Sequence, residues 1–274
     1  PENIESISVL KDALSTILLG QLSSRGALLV TTKRPEAGAP RISFTAQTGL
    51  QTPLDLPKPL SSYQYAWMYN EGLLNDGRQP IYTAEDFQAY RDGSDPIGHP
   101  DVNWYKAVLK DNAPISRYDL NVSGGGSTAR YTVGVGYMNK QGLFVEPAGN
   151  DYNTNAAINR YTVNSHVDVD VNKYFNVGLD IFGRIEDTNE PGAGISNIMS
   201  ALISTPDNAY PIHNPDGSLA GTPSFTNNIY GMVGESGYIA GHNRDVMANV
   251  NLKYNFERWL PGVWAKFIGN VSIS

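Results

Sequence analysis

His166, Asp168 and Asp170 stand two residues apart in one stretch of the chain. An imidazole and two carboxylates are metal ligands in kind. Their spacing sets all three in a row along one strand face, which is poor geometry for a convergent cage, so no metal is assigned to them. Asp92, Asp95 and Asp101 offer carboxylates for calcium, but their spacing does not fit an EF-hand loop, and turn roles are the better reading. Gly124-Gly125-Gly126 has the composition of a phosphate cradle. It joins two strand-like runs and opens no helix, which makes it a tight turn. Trp67, Tyr82, Trp104 and Tyr105 could stack on a sugar ring or pack against a partner. Packing among their own segments is the plainer use. The chain has four His and no Cys, and no nucleophile–base pair stands out. No catalytic residue and no cofactor is assigned, and an enzyme is not expected.

The elements around these residues have one dominant period. From residue 41 onward apolar and polar residues alternate. Ile42, Phe44, Ala46 and Leu50 alternate with Ser43, Thr45 and Gln47. The same pattern returns at Tyr118–Val122, Tyr131–Tyr137, Tyr161–Val171, Phe175–Ile185, Val246–Phe256 and Val263–Ile273. This is half-buried strand periodicity, repeated about seven times. The runs predict strands of about 9 to 13 residues, against about 5 to 6 in soluble sheets and about 9 to 11 for a tilted strand crossing a bilayer. Arg117, Asp119, His166, Asp168, Asp170, Asp180, Arg184 and Lys253 fall on the polar face. They could touch a solute or a plug; the bland alternative is a mutually paired wall around water.

Short and long connections alternate. Gly124–Thr128, Asn172-Lys173 and Glu257–Gly262 are short turns, whereas 53–115, 139–159 and 187–243 are long. Tight turns on one side and extended loops on the other are the habit of outer-membrane barrels. The first long loop carries helix signals. Ser61-Ser62 can cap a helix through Leu73 closed by Gly77; Thr83 with Asp86 resembles a capping box; Asp101–Leu109 can form a third turn or helix. The third long loop reads as turn-rich, with Asn214-Pro215-Asp216-Gly217 a strong turn signal. Residues 1–35 differ: a strand over 4–10, a helix from Asp12 through Leu19, a Ser/Gly/Arg turn and a strand over 27–33, followed by a linker at 36–40.

Composition agrees with a strand-and-loop protein. Charged residues make up 17% of the 274, below the roughly 25% of an average soluble domain. The formal charge is −7 with no long basic run, which argues against a nucleic-acid partner. No apolar run is long enough for a transmembrane helix, a test that barrel strands escape. The chain opens Pro-Glu-Asn without a signal peptide and reads as a segment of something longer. About seven strands would leave open edges in lipid, so a truncated chain is expected.

Two stretches carry a family resemblance. Ile4-Glu5-Ser6-Ile7-Ser8-Val9-Leu10-Lys11-Asp12-Ala13 resembles the plug of TonB-dependent receptors, where a strand of the form I-E-x-I-x-V-L leads into a short helix. Arg25-Gly26-Ala27-Leu28-Leu29-Val30-Thr31-Thr32-Lys33-Arg34 looks like the plug's closing strand. The Lys-Asp-Ala and Thr-Thr-Lys-Arg forms, Tyr69-Asn70-Glu71 and Asn121-Val122-Ser123-Gly124-Gly125 are similar to SusC-like transporters. There are departures: Leu19–Arg25 stands where the family commonly has Tyr-Gly-Ser-Arg, and Arg25-Gly26 where Asn-Gly is common.

The resemblance implies an all-β antiparallel membrane barrel of about 22 strands, the size of plugged outer-membrane transporters. Residues 1–35 would be the last part of the plug, with Ser24, Arg25 and Gly26 at a plug turn, and 41–274 the first strands. It further implies import of oligosaccharides or peptides across the bacterial outer membrane. A SusD-like surface lipoprotein would cover the loops, touching Trp67, Tyr82, Trp104 and Tyr105, and TonB-ExbB-ExbD would supply energy through a segment outside this chain. Arg117, Asp119, His166, Asp168, Asp180 and Arg184 would face the solute path, with outer-membrane lipid outside. Two rival readings stand beside it: a barrel that is a scaffold or assembly partner without import, and a secreted β-rich carbohydrate-binding protein or glycosidase.

Overall fold

A computed structural model describes residues 4–11, 27–32, 34–147 and 150–274. The expected helix from Asp12 and the turn at Ser24, Arg25 and Gly26 lie outside the described residues.

Strands β1 (Ile4–Leu10) and β2 (Ala27–Thr32) pair antiparallel as a two-stranded sheet. The rest of the strands form one seven-stranded antiparallel meander. In order these are β3 (Gly38–Gln51), β4 (Ala113–Gly125), β5 (Ala129–Gln141), β6 (Ala157–Asn172), β7 (Phe175–Pro191), β8 (Tyr238–Asn255) and β9 (Trp264–Ile273). Each strand pairs with its sequence neighbour. The turn between β4 and β5 closes through Gly126 N–H to the Ala129 carbonyl at 2.8 Å.

The strands outrun the sequence expectation. β6, β7 and β8 hold 16, 17 and 18 residues. Their extra length lies mostly on the long-connection side, where polar residues such as Asn159, Asp187 and Asn243 continue the ladder. Apolar alternation marks only the part of a strand whose one face avoids water, so the polar extensions did not register.

Register makes the two faces of the sheet explicit. Tyr118 pairs with Tyr137, Tyr137 with Tyr161, and Tyr161 with Ile185. Leu120, Val135 and Val163 form the next apolar row. On the opposite face Asp119, Gly136, Thr162, Arg184 and Asp245 share a row. The apolar face is not covered: Ile42 is 73% exposed, Val163 46% and Val271 61%. A contiguous apolar face of this extent does not stay bare in water.

The hydrophobic core lies elsewhere. Among the described residues five helices fall in the long connections: α1 (Ser62–Asn75), α2 (Ala84–Asp92), α3 (Trp104–Val108), α4 (Ile195–Ser204) and α5 (Ile229–Gly234). Both expected capping boxes form, Ser61 with Gln64 and Thr83 with Asp86. Trp104, Val108, Phe144, Ile198, Leu202, Tyr210, Ile229 and Val233 pack into one buried cluster. It draws on all three long connections, so they fold together as a platform at one end of the sheet. Helices α4 and α5 were not expected from the turn-rich composition of the third connection. Among the described residues no helix is long and apolar enough to cross a membrane.

Candidate functional site

The polar face of the sheet is a wall of ion pairs, some along a strand and most across neighbouring strands. Arg117 Nε donates to Asp119 Oδ2 at 2.6 Å, two residues along β4 on the same face. Arg184 on β7 donates to Asp245 on β8 at 2.7 Å. Arg160 on β6 pairs with Glu186 on β7, and Arg130 on β5 with Asp170 on β6 at 2.6 Å. His166 contacts Asp180 across the β6–β7 pair and Asp168 along its own strand at 3.4 Å. Asn176 Nδ2 donates to Asp168 at 3.2 Å and to Asp170 at 2.8 Å. Lys253 lies over the Trp264 ring, 5.5 Å from its centroid. The sequence-derived polar set therefore shares one face, and most of its members hold one another.

Sequence reasoning missed Arg160, Glu186, Arg130 and Asp245. Their partners sit on other strands, and only the register reveals them. It also missed the role of two glycines in β5. A side chain at Gly134 would run into Asn121 and Asn164, and one at Gly136 into Thr162 and Asp119. Missing Cβ atoms let the polar groups of β4 and β6 close over β5.

Above this wall lies a cleft of about 1340 Å³ between the inner face and the segment after β2. Arg34, Arg41, Asn164, His166, Asp180 and Asn249 line it. Arg34 reaches Asp168 at 3.9 Å. The lining offers donors and acceptors of both signs and suits a polar occupant. Among the described residues no three His, Cys, Asp or Glu side chains gather as a metal site.

The platform places the four aromatic candidates differently. Trp67 is 54% exposed on α1, beside exposed Met68 and Leu74. Tyr82 is half-buried; its ring packs edge-on against Tyr69 and Tyr90, and its hydroxyl accepts from Asn208 at 2.9 Å. Trp104 and Tyr105 are buried, at 1% and 5% exposure. Trp104 and Tyr105 are thus packed within the loops, which leaves Trp67 and Tyr82 as the candidates that reach the surface. Trp104 packs at a tilt against Tyr210 with ring centroids 4.8 Å apart and donates to the Pro206 carbonyl at 3.4 Å, so it joins two loops of the same chain.

Asp92, Asp95 and Asp101 make local and inter-segment bonds: to Ser94 N–H, to Gly98 N–H, and to Ser62. His99 bridges Asp86 at 2.8 Å and Asp95 at 2.9 Å. The hydrogen bond to Asp86, then that to Asp95, raises the imidazole above its ordinary range.

A meandering antiparallel sheet with a bare apolar face, a polar face lined by ion pairs and helix-bearing loops at one end has the architecture of part of a membrane β-barrel wall. Known proteins agree. The chain is 28% identical to TonB-dependent receptor P26 of Formosa agariphila over 80% of its length, which is 20% of that receptor. It is 22% identical to TonB-dependent receptor SusC of Bacteroides thetaiotaomicron over 86% of its length, 21% of that protein. The chain thus spans about a fifth of the curated relatives it matches. No family model matches it. In fold it superposes on a chain of the RagAB peptide transporter with TM-score 0.70 at 19% identity, covering 99% of this chain and 32% of that one. For the RagAB peptide importer in its closed-closed state the TM-score is 0.63 at 20% identity, covering 93% and 30%. In sequence the chain is similar to part of TonB-dependent receptors, SusC among them, and in fold to part of a RagAB chain. The named relatives are receptors and transporters rather than enzymes.

Proposed function

We propose that this chain contributes the end of a plug and seven consecutive wall strands to a barrel that imports oligosaccharides or peptides across a bacterial outer membrane. The observation that carries this reading is the pairing of a lipid-ready apolar face with a polar, ion-paired face on the same strands. Residues 1–35 help fill the lumen, and 41–274 supply strands β3–β9 with their loops. The remaining strands close the barrel to about 22, because open edges in lipid leave backbone groups unsatisfied.

The solute passes along the polar wall, where Arg117, Asp119, His166, Asp168, Asp180 and Arg184 set the local charge. Every cation in that set has a carboxylate partner, so the wall holds a passing solute loosely. Energy comes from TonB with ExbB and ExbD through a segment outside this chain. A SusD-like lipoprotein seats on the platform, with exposed Trp67 in the contact and Tyr82 at its margin.

Deleting the encoding gene in its own bacterium and measuring uptake of labelled peptides and oligosaccharides tests the import reading. Loss of uptake of one solute class, restored by the intact gene, is expected. Unchanged uptake of both classes would leave a scaffold and remove the importer.

A further inference from the structure

Asp207 and Asp101 come from different long connections that meet at a seam in the platform. Asp207 follows α4 and is buried, at 4% exposure. Its Oδ1 has no hydrogen-bond partner. The Asp207 backbone carbonyl accepts from Val102 N–H at 2.9 Å, which fixes the residue against the segment leading into α3. Asp101, next to Val102, is the charge that acts on it. Asp101 has donors for its own charge: Ser62 N–H at 2.7 Å and Ser62 Oγ at 2.8 Å, in the first turn of α1. Tyr105 on α3 also faces Asp207, and its buried hydroxyl has no partner either. Among the described residues Asp101 and Tyr105 are the titratable groups facing Asp207.

A carboxylate that is buried, lacks a donor and stands beside a second carboxylate is costly as an anion and tolerable as a neutral acid. Two carboxylates supply too few oxygens for calcium, which takes about 6 to 8. A proton is the occupant this seam can hold. We propose that Asp207 and Asp101 form a proton-operated clamp between the first and third long connections. With Asp207 neutral the seam is closed. With Asp207 ionised, a buried anion with an unpartnered oxygen stands near the exposed Asp101 carboxylate, and the platform loosens while the sheet beneath is untouched.

Burial first, and Asp101 second, push the Asp207 carboxyl up from 3.8 to about 6. A carboxyl raised in the folded state stabilises the closed seam fully below its unfolded value. That contribution is lost as pH rises through the folded value, between about pH 4 and about pH 6. The seam's opening equilibrium therefore grows by up to about a hundredfold across that window and is level above it. The clamp is independent of what the barrel carries.

Hydrogen exchange on the full-length protein in detergent tests it. Protection of segments 100–109 and 205–212 is compared at about pH 4.5 and about pH 7.5 after correction for intrinsic exchange. The wild type is expected to open tens of times more often at the higher pH. Asp207→Asn should open equally at both, at the wild type's acid level. Asp101→Asn should keep a pH dependence with its midpoint lowered. A flat wild-type profile, a dependence that survives Asp207→Asn, or an unmoved midpoint in Asp101→Asn overturns the clamp. Should Asp207→Asn fail to fold, the wild type and Asp101→Asn decide the matter.

Discussion

Single residues in this chain differ sharply in how replaceable they are, and two glycines show it. Gly125 ends β4 at φ 146°, and a Cβ there would strike the Ala129 carbonyl and Arg130 backbone. Backbone cannot step aside cheaply. Gly134 sits mid-strand on the polar face, and a Cβ there meets only the amide ends of Asn121 and Asn164. Those ends can swing away from the sheet on its uncovered polar face. Gly125→Ala is therefore expected to cost about 1 to 3 kcal/mol, and Gly134→Ala less than about 1 kcal/mol. Thermal unfolding of the two variants in detergent checks the order; equal losses would contradict it. The sequence alone made the Gly124–Gly126 turn legible, because three glycines between alternating runs admit little else. It did not reveal that Arg184 meets Asp245, 61 residues away. Residue types carry charge, whereas partners are set by register.

At the scale of elements, legibility followed local signals. Helices α1 and α2 announce themselves by Ser61 with Gln64 and Thr83 with Asp86, and both caps form. Helix α4 has Gly194 at its N-cap with no side-chain bond. Its signal was present as Ile195, Ile198, Met199, Leu202 and Ile203, a helical spacing of apolar residues. The surrounding Gly, Pro and Asn masked it. The burial of Trp104 and Tyr105 was equally hidden, since the packing partners Tyr210, Ile198 and Ile229 lie about a hundred or more residues further along the chain. That core belongs to the loops and not to the sheet. Ile198 is fully buried in α4, so Ile198→Ala is expected to cost the platform about 2 to 5 kcal/mol. Hydrogen exchange in α3 and α5 should accelerate while the melting of the sheet stays put. If platform and sheet lose stability together, they are one cooperative unit and this division is wrong.

At the scale of the molecule, the spacing of aromatic rows matches a membrane. On β6 the Tyr161 row and Asn172, which pairs with Phe175 at the other aromatic end, are 11 residues apart. At about 3.3 Å per residue that is about 36 Å along the strand. A tilt of about 40° reduces it to about 28 Å, close to the apolar band of about 25 Å on outer-membrane barrels. Tyr118, Tyr137 and Tyr161 line one rim of that band, and Phe175 and Tyr254 the other. The alternation that placed these faces was readable from residue 41 onward, because the apolar residues recur on one face along the whole length of the strands. The absence of cysteine in the chain permits a direct test. Cysteines placed one at a time from Tyr161 to Val167, spin-labelled in the full-length protein in lipid bilayers, report oxygen against water-soluble relaxer at each site. Positions 161, 163, 165 and 167 should favour oxygen, and 162, 164 and 166 the water-soluble agent, alternating with period two. Equal access of the water-soluble agent to both sets would contradict a strand that separates lipid from a polar lumen.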